Sequence, residues 1–324
     1  MKRTIIIILI ALVICFAGVV AVTELIIPAI KYGKAESLFA AGQYEEAAEA
    51  FRALRRFKDS RERENEVYEA IKERDYSEAE KLQEKNDLLG AVKVFSALRD
   101  YKDSAARKEE ILSENKALSV YVANKGDTVF FGSYEQDNDT SNGKEDIEWL
   151  VLAKVDDQIL VISKYALDNQ IYYLGKNDVT WDKCSLRTWL NETFLKEAFS
   201  DKERRMIDIT SVRQDEKVKN PSFTKDAPST NDRVFVLSVT EAKKYFKGDE
   251  ARVCMPTAYA AAHGAYVNEE NGGCWWWLRP TVGDFDSYTP AIVDTTGDIC
   301  FFGFDVNSSD TLRPVRPAMW INIK

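Results

Sequence analysis

The stretch Gly272-Gly273-Cys274-Trp275-Trp276-Trp277-Leu278-Arg279-Pro280 sets three indole rings beside a guanidinium group. Flat aromatic faces suit sugar rings, and a fork of N–H donors suits a carboxylate or sulfate. Trp275, Trp276, Trp277 and Arg279, joined by Arg316 further along the chain, therefore form a candidate surface for a glycan or an acidic ligand. Each Trp side chain covers roughly 150–250 Å², so three exposed together would make a patch of the size that monomers reserve for binding. The same residues have a second use. In a strand, Trp275 and Trp277 share one face and Trp276 takes the other, which puts some tryptophan in the core and some at its rim. Arg279 and Arg316 could equally pair with buried carboxylates and lock the sheet.

Other candidate chemistry is thinner. The single histidine, His263, precedes Gly264 at the end of an alanine-rich segment, a normal helix C-terminal position. With one histidine, a zinc site would need cysteines alone or with carboxylates. Cys184, Cys254, Cys274 and Cys300 follow the N-terminal apolar run; they allow two disulfides in three connectivities, or four buried thiols, and no spacing favours a bridge. Ser222-Phe-Thr-Lys225 matches the Ser-x-x-Lys of penicillin-binding enzymes, but prolines flank it and the companion Lys-Thr-Gly strand is absent from the sequence. Asp137-x-Asp139-x-Ser141 with Glu148 imitates a calcium loop, yet Asn142 stands where that loop needs glycine, so Asn142-Gly143 reads as a hairpin tip. Asp284 and Asp286 form a loose carboxylate pair that could take calcium weakly; no other cofactor is expected.

These residues must be held by a larger frame. The chain has 324 residues, a net charge of −9, and a composition of 30% charged and 45% hydrophobic side chains, which fits a folded protein of about two domains. The acidic balance excludes nucleic acid as a partner. Met1-Lys2-Arg3 precedes an apolar run over 5–27, interrupted only near Thr23 and Glu24 and long enough to cross a bilayer. Lys2 and Arg3 place its start in the cytoplasm and the rest outside. A cleaved signal peptide would have a shorter run and a better site than Val19-Val20-Ala21, so residues 1–30 read as an uncleaved anchor.

Residues 31–119 contain a duplication. Ala35, Leu38, Ala47, Phe51, Leu54 and Lys58-Asp59-Ser60 recur as Ala79, Leu82, Ala91, Phe95, Leu98 and Lys102-Asp103-Ser104, always 44 residues on. Helical spacing runs through both copies, Gly42 and Asn86-Asp87 break them between helices, and Asp59 or Ser60 and Asp103 or Ser104 offer N-caps. The stretch "AESLFAAGQYEEAAEAF" resembles the tetratricopeptide repeat, which implies an all-α unit acting as a spacer or a groove for a partner.

Residues 120–324 change texture. Thr128–Tyr134, Ile147–Leu152 and Gln158–Ser163 read as strands; Ser185–Leu195 reads as a helix, and Ser238-x-x-Glu241 as a capping box for another. This implies an α+β domain. From about Gly126 onward, "GDTVFFGSYEQDND", "LVISKYALD", "SLRTWLNETF", "RVFVLSVTEA", "WWLRP" and "VRPAMWI" together resemble the bacterial family of domain of unknown function 6273. "GGCWWWLR", "VDTTGDICFFG" and the terminal "VRPAMWI" also resemble C-type-lectin-like domains, in the branch with the formylglycine-generating enzymes. That second resemblance implies a lectin-like fold and, as an alternative activity, a copper-dependent oxidase using Cys274 or Cys300, although these two are far apart in sequence for that chemistry.

The expectation is thus a single-pass membrane protein with an outward-facing helical repeat and a lectin-like α+β domain. Its expected role is to bind a glycan, cell-wall material or a protein. A modifying enzyme and a structural scaffold for a membrane complex are the alternatives.

Overall fold

The apolar N-terminal run forms one continuous helical rod in the computed structural model, which describes residues 2–55, 57–175, 179–213, 228–284, 287–300 and 312–324. Helix α1 (Lys2–Ala21) passes through a π-helical turn, Val22–Ile26, into α2 (Ile27–Ala40). Pro28 lies in the first turn of α2. It has no N–H to bond back one turn, and the wide turn just before it absorbs that gap. By length and composition, the helix Ile10–Ala40 is long and apolar enough to cross a membrane.

By contacts the chain divides into two compact units, Met1–Ile111 and Leu112–Lys324. The first is helical: α2 is followed by α3 (Tyr44–Leu54), α4 (Ser60–Glu84), α5 (Leu88–Leu98) and α6 (Ser104–Glu114). The duplication is visible residue for residue. Ala35, Ala47, Phe51, Ser60 and Val67 are buried in one copy, and Ala79, Ala91, Phe95, Ser104 and Ile111 in the other. The turn between α2 and α3 needs a left-handed residue, which Gly42 supplies; Asn86, the other common occupant of that region, does the same between α4 and α5. Asp59 sits at the N-cap of α4 as expected, but its side chain caps nothing. It accepts a hydrogen bond from the Tyr32 hydroxyl at 2.6 Å instead, and Asp103 accepts one from Tyr76 at 2.5 Å.

The second unit is β-rich. Helix α7 (Ser119–Val122) leads into β1 (Thr128–Tyr134), β2 (Glu145–Val155) and β3 (Gln158–Ser163). Later elements are β4 (Asp168–Ile171), α8 (Ser185–Trp189), α9 (Leu195–Ala198), α10 (Asp201–Met206), β5 (Thr210–Val212), β6 (Thr230–Asp232), α11 (Val239–Tyr245) and α12 (Ala258–Ala262). The chain closes with β7 (Trp276–Asp284), β8 (Ser287–Val293), β9 (Ile299–Cys300), β10 (Leu312–Val315) and β11 (Ala318–Asn322). Among the described residues the main sheet is antiparallel with the order β1-β2-β3-β11, and β10-β4, β5-β6 and β7-β8-β9 form smaller sheets.

The expected helix over Ser185–Leu195 appears as α8 and α9 joined by a π-helical turn, Leu190–Phe194. The capping box before α11 is present, with Ser238 and Glu241 each bonding the other's backbone N–H. One core runs through the unit and contains Trp149, Trp181, Phe194, Trp276, Trp277 and Met319. The Ser222–Lys225 tetrad lies outside the described residues. Asp284 ends β7, and Asp286 also lies outside the described residues.

Candidate functional site

Two glycines deliver the tryptophan triplet. Gly272 adopts a left-handed φ of 71° in a turn closed by Asn268, whose N–H bonds the Gly273 carbonyl at 2.9 Å. A Cβ on Gly273 would stand 2.6 Å from the Thr295 carbonyl oxygen, closer than carbon tolerates. The side chain of Asn271 donates to that same oxygen at 2.8 Å. Glycine at both places lets the chain pass Thr295 and bring Cys274 opposite Cys254 in an antiparallel bridge.

From there the three indoles part ways. Trp276 is wholly buried; its Nε1 donates to the Arg252 carbonyl at 3.1 Å, and its ring meets Phe246. Trp277, also buried, donates to the Gln170 carbonyl at 2.8 Å and packs edge-on against Tyr172 at 5.4 Å. Trp275 is half-buried, with the Arg313 guanidinium 4.7 Å from its ring centre and the Tyr266 ring 6.1 Å away. Arg313 pairs with Gln170 across the β10–β4 ladder, so Trp275 and Trp277 lie toward the same neighbour and Trp276 toward another, as strand alternation requires. Both faces of this strand are covered, and that is why two indoles rather than one are in the core.

The arginines are structural in position. Arg279 is 2% exposed and spends its fork on the Val236 carbonyl (Nη1, 2.6 Å), the Arg213 carbonyl (Nε, 2.9 Å) and Glu241 (Nη2, 3.0 Å). Glu241 thereby serves both the α11 cap and this ion pair. Arg316, equally buried, donates Nε to the Ser163 carbonyl at 2.9 Å and lies between the rings of Phe246 and Trp276, 5.1 Å from each centre. Burial thus removes Trp276, Trp277, Arg279 and Arg316 from contact with a ligand arriving from solvent. Trp275 remains of the expected surface, with two residues that the sequence did not single out, Tyr266 and Arg313. Tyr266 is 58% exposed, and Met255, which follows Cys254, is exposed as well. Their signal was weak because the turn around Asn268–Gly272, rather than a regular spacing, brings Tyr266 back beside Trp275, and Arg313 lies on a strand far along the chain.

Cys274 meets Cys254 rather than Cys300. Both thiols are buried. Burial alone would push the Cys254 thiol up, but a hydrogen bond from Cys274 and the charge of Arg316 outweigh it and bring it down to about 7. The same hydrogen bond, with burial, holds Cys274 well above its ordinary value. Cys300 is half-exposed near Asp294 and is raised by burial and by Asp294 and Asp298. His263 ends α12 as expected, its Nδ1 2.8 Å from the Tyr259 carbonyl and its ring stacked on Tyr259.

A second cluster lies in the β1–β2 hairpin. Glu135, Asp137 and Glu145 each bring a carboxylate oxygen to within 4.8 Å of the other two. Burial, then the neighbouring charges of Glu145 and Asp137, raise the Glu135 carboxyl. The calcium-like spacing of the sequence picked different partners. Glu148 instead forms an ion pair with Lys164 at 2.7 Å, and Asp139 closes a turn by accepting from Ser141.

Comparison with known families places the second unit. The profile of the family described as Domain of unknown function (DUF6273) matches residues 156–323. The chain belongs to DUF6273. The matched span takes in this chain's tryptophan triplet, the Cys254–Cys274 pair, Arg279 and Arg316, and begins at the β2–β3 turn. Strands β1 and β2 and the acidic cluster precede it, although they complete the same sheet. No curated protein and no solved structure matches the chain.

Proposed function

We propose that this DUF6273 protein is a membrane-anchored binding protein, held by the apolar helix over 5–27 with its folded units outside the cytoplasm. The helical unit, read as a shortened tetratricopeptide-like repeat, acts as a spacer. The β-rich unit, read as lectin-like, takes a glycan, cell-wall material or a protein segment on the surface around Trp275. The observation that carries this reading is the half-buried indole of Trp275 between Tyr266 and the Arg313 guanidinium. It combines a ring face for stacking with a cation for a carboxylate. Calorimetric titration of the full chain in detergent with glycans and cell-wall fragments tests it. Binding lost in Trp275→Ala, with the circular dichroism spectrum unchanged, supports the reading; a ligand bound equally by that variant moves the site elsewhere.

The oxidase reading takes its support from Cys254 beside Cys274 rather than from Cys300. It requires copper(I) uptake that Cys254→Ser abolishes, and a chain that takes up no copper is not such an enzyme.

A further inference from the structure

We propose that Glu135, Asp137 and Glu145 form a calcium site where the loop joining β1 and β2 begins and ends. Three observations carry it. The three carboxylates converge within 4.8 Å. Calcium binds oxygen at about 2.3–2.6 Å, so two ligands on opposite sides of one ion stand about 4.6–5.2 Å apart, and all three oxygens fit around a single ion without moving the loop. Among the described residues none of the three forms an ion pair with a lysine or arginine, so these like charges are met only by N–H donors.

The third observation concerns Glu135 itself. It is 8% exposed, and its Oε1 is sealed from solvent with no hydrogen-bond partner. An unmet carboxylate oxygen in the interior is expensive, and a cation in the cluster satisfies it. The neighbouring groups are pre-arranged. Glu145 Oε2 accepts from the backbone N–H of Gln136 at 2.7 Å and of Asp137 at 3.3 Å. Asp137 is held by the Asp139 N–H at 2.8 Å and the Asn142 amide at 2.7 Å. Each carboxylate keeps lone pairs for a metal. Oxygen-only ligands, with waters filling the remaining places, select a hard cation over zinc or copper.

The site lies apart from the Trp275 surface and does not depend on that surface binding anything. Calorimetric titration of the full chain in detergent with calcium chloride tests it, with terbium luminescence as a second readout. The expected result is one saturable site in the range of about 0.1–1 mM, typical of extracellular calcium modules. Glu135→Gln and Glu145→Gln are each expected to weaken it about tenfold or more as ligand charge falls, while Glu192→Gln, an exposed carboxylate outside the hairpin, leaves it unchanged. If Glu135→Gln does not fold, Asp137→Asn on the exposed side of the loop replaces it. Absence of saturable calcium binding, wild-type affinity in Glu145→Gln, or an equal response to magnesium overturns the assignment.

Discussion

The helical unit and the β-rich unit hold their polar groups by opposite means. In the helical unit a set of polar contacts between neighbouring helices is made twice. Tyr32–Asp59 and Glu36–Arg63 in one copy answer Tyr76–Asp103 and Glu80–Arg107 in the other, 44 residues on, and Lys58 and Lys102 stack over the matching tyrosines at 4.7 and 4.5 Å. In the β-rich unit the buried arginine and tryptophan contacts are made once and between distant segments: Arg279 joins Glu241 to two carbonyls, and Trp277 reaches back to Gln170. The lesson is one of redundancy. Losing one of the repeated helical contacts leaves its twin in place, whereas the Arg279–Glu241 and Trp277–Gln170 contacts have no second copy among the described residues.

The sharpest way to break that comparison is Trp276→Ala. Removing a wholly buried indole is expected to cost about 3–5 kcal/mol, and denaturant unfolding followed by near-UV circular dichroism measures it; a loss below about 1 kcal/mol would mean the β-rich unit has slack its packing does not show. Arg279→Ala should cost about 2–4 kcal/mol, less than breaking a fully buried pair because Glu241 reaches solvent. The same unfolding experiment should show Glu241→Gln losing less, since the amide still accepts from the cap.

The helical unit predicts smaller and additive effects. Tyr76→Phe and Tyr32→Phe should each cost about 1 kcal/mol, and the double variant about the sum. Tyr76 also gives a pH signature. Its hydroxyl is pushed up to about 12, first by the hydrogen bond to Asp103 and then by burial. The protonated form is the one the fold prefers, so its contribution is complete below the ordinary tyrosine value of about 10 and is lost as pH rises through about 12. Stability measured between pH 9 and 12 should fall less steeply in Tyr76→Phe than in the wild type. A far smaller stability change than for Trp276→Ala is expected for Trp275→Ala, about 1 kcal/mol, because its half-buried ring packs at the edge of the core rather than inside it. A large loss there would make Trp275 a core residue like its two neighbours.

Legibility in the sequence followed the same divide. The duplication, the break at Gly42 and the strands over Thr128–Tyr134 and Gln158–Ser163 were readable because helical spacing, turn residues and strand alternation are local signals. The fate of the tryptophans was readable only by halves. Alternation separates Trp276 from Trp275 and Trp277, but whether a face is covered depends on β4, β10 and Phe246, which lie far along the chain. The meeting of the Cys254 and Cys274 thiols and the convergence of Glu135 with Glu145 were hidden for the same reason, since register rather than spacing brings them together.

Strand β11 carries a consequence for how the chain is made. It pairs along β3, and its residues Ala318 and Ile321 also bridge to Phe235 and Ile207. Synthesis runs from the N-terminus, so the helical unit can settle while translation continues, but the β-rich unit waits for Ala318–Asn322 to emerge. Until then Gln158–Ser163 presents an unpaired edge of hydrophobic strand, a template for any neighbouring chain in the same state. Strand β11 is therefore the one that closes the window for misassembly, and a ribosome stalled shortly before Ala318 would leave a chain whose helical unit is finished and whose β-rich unit is open to aggregation.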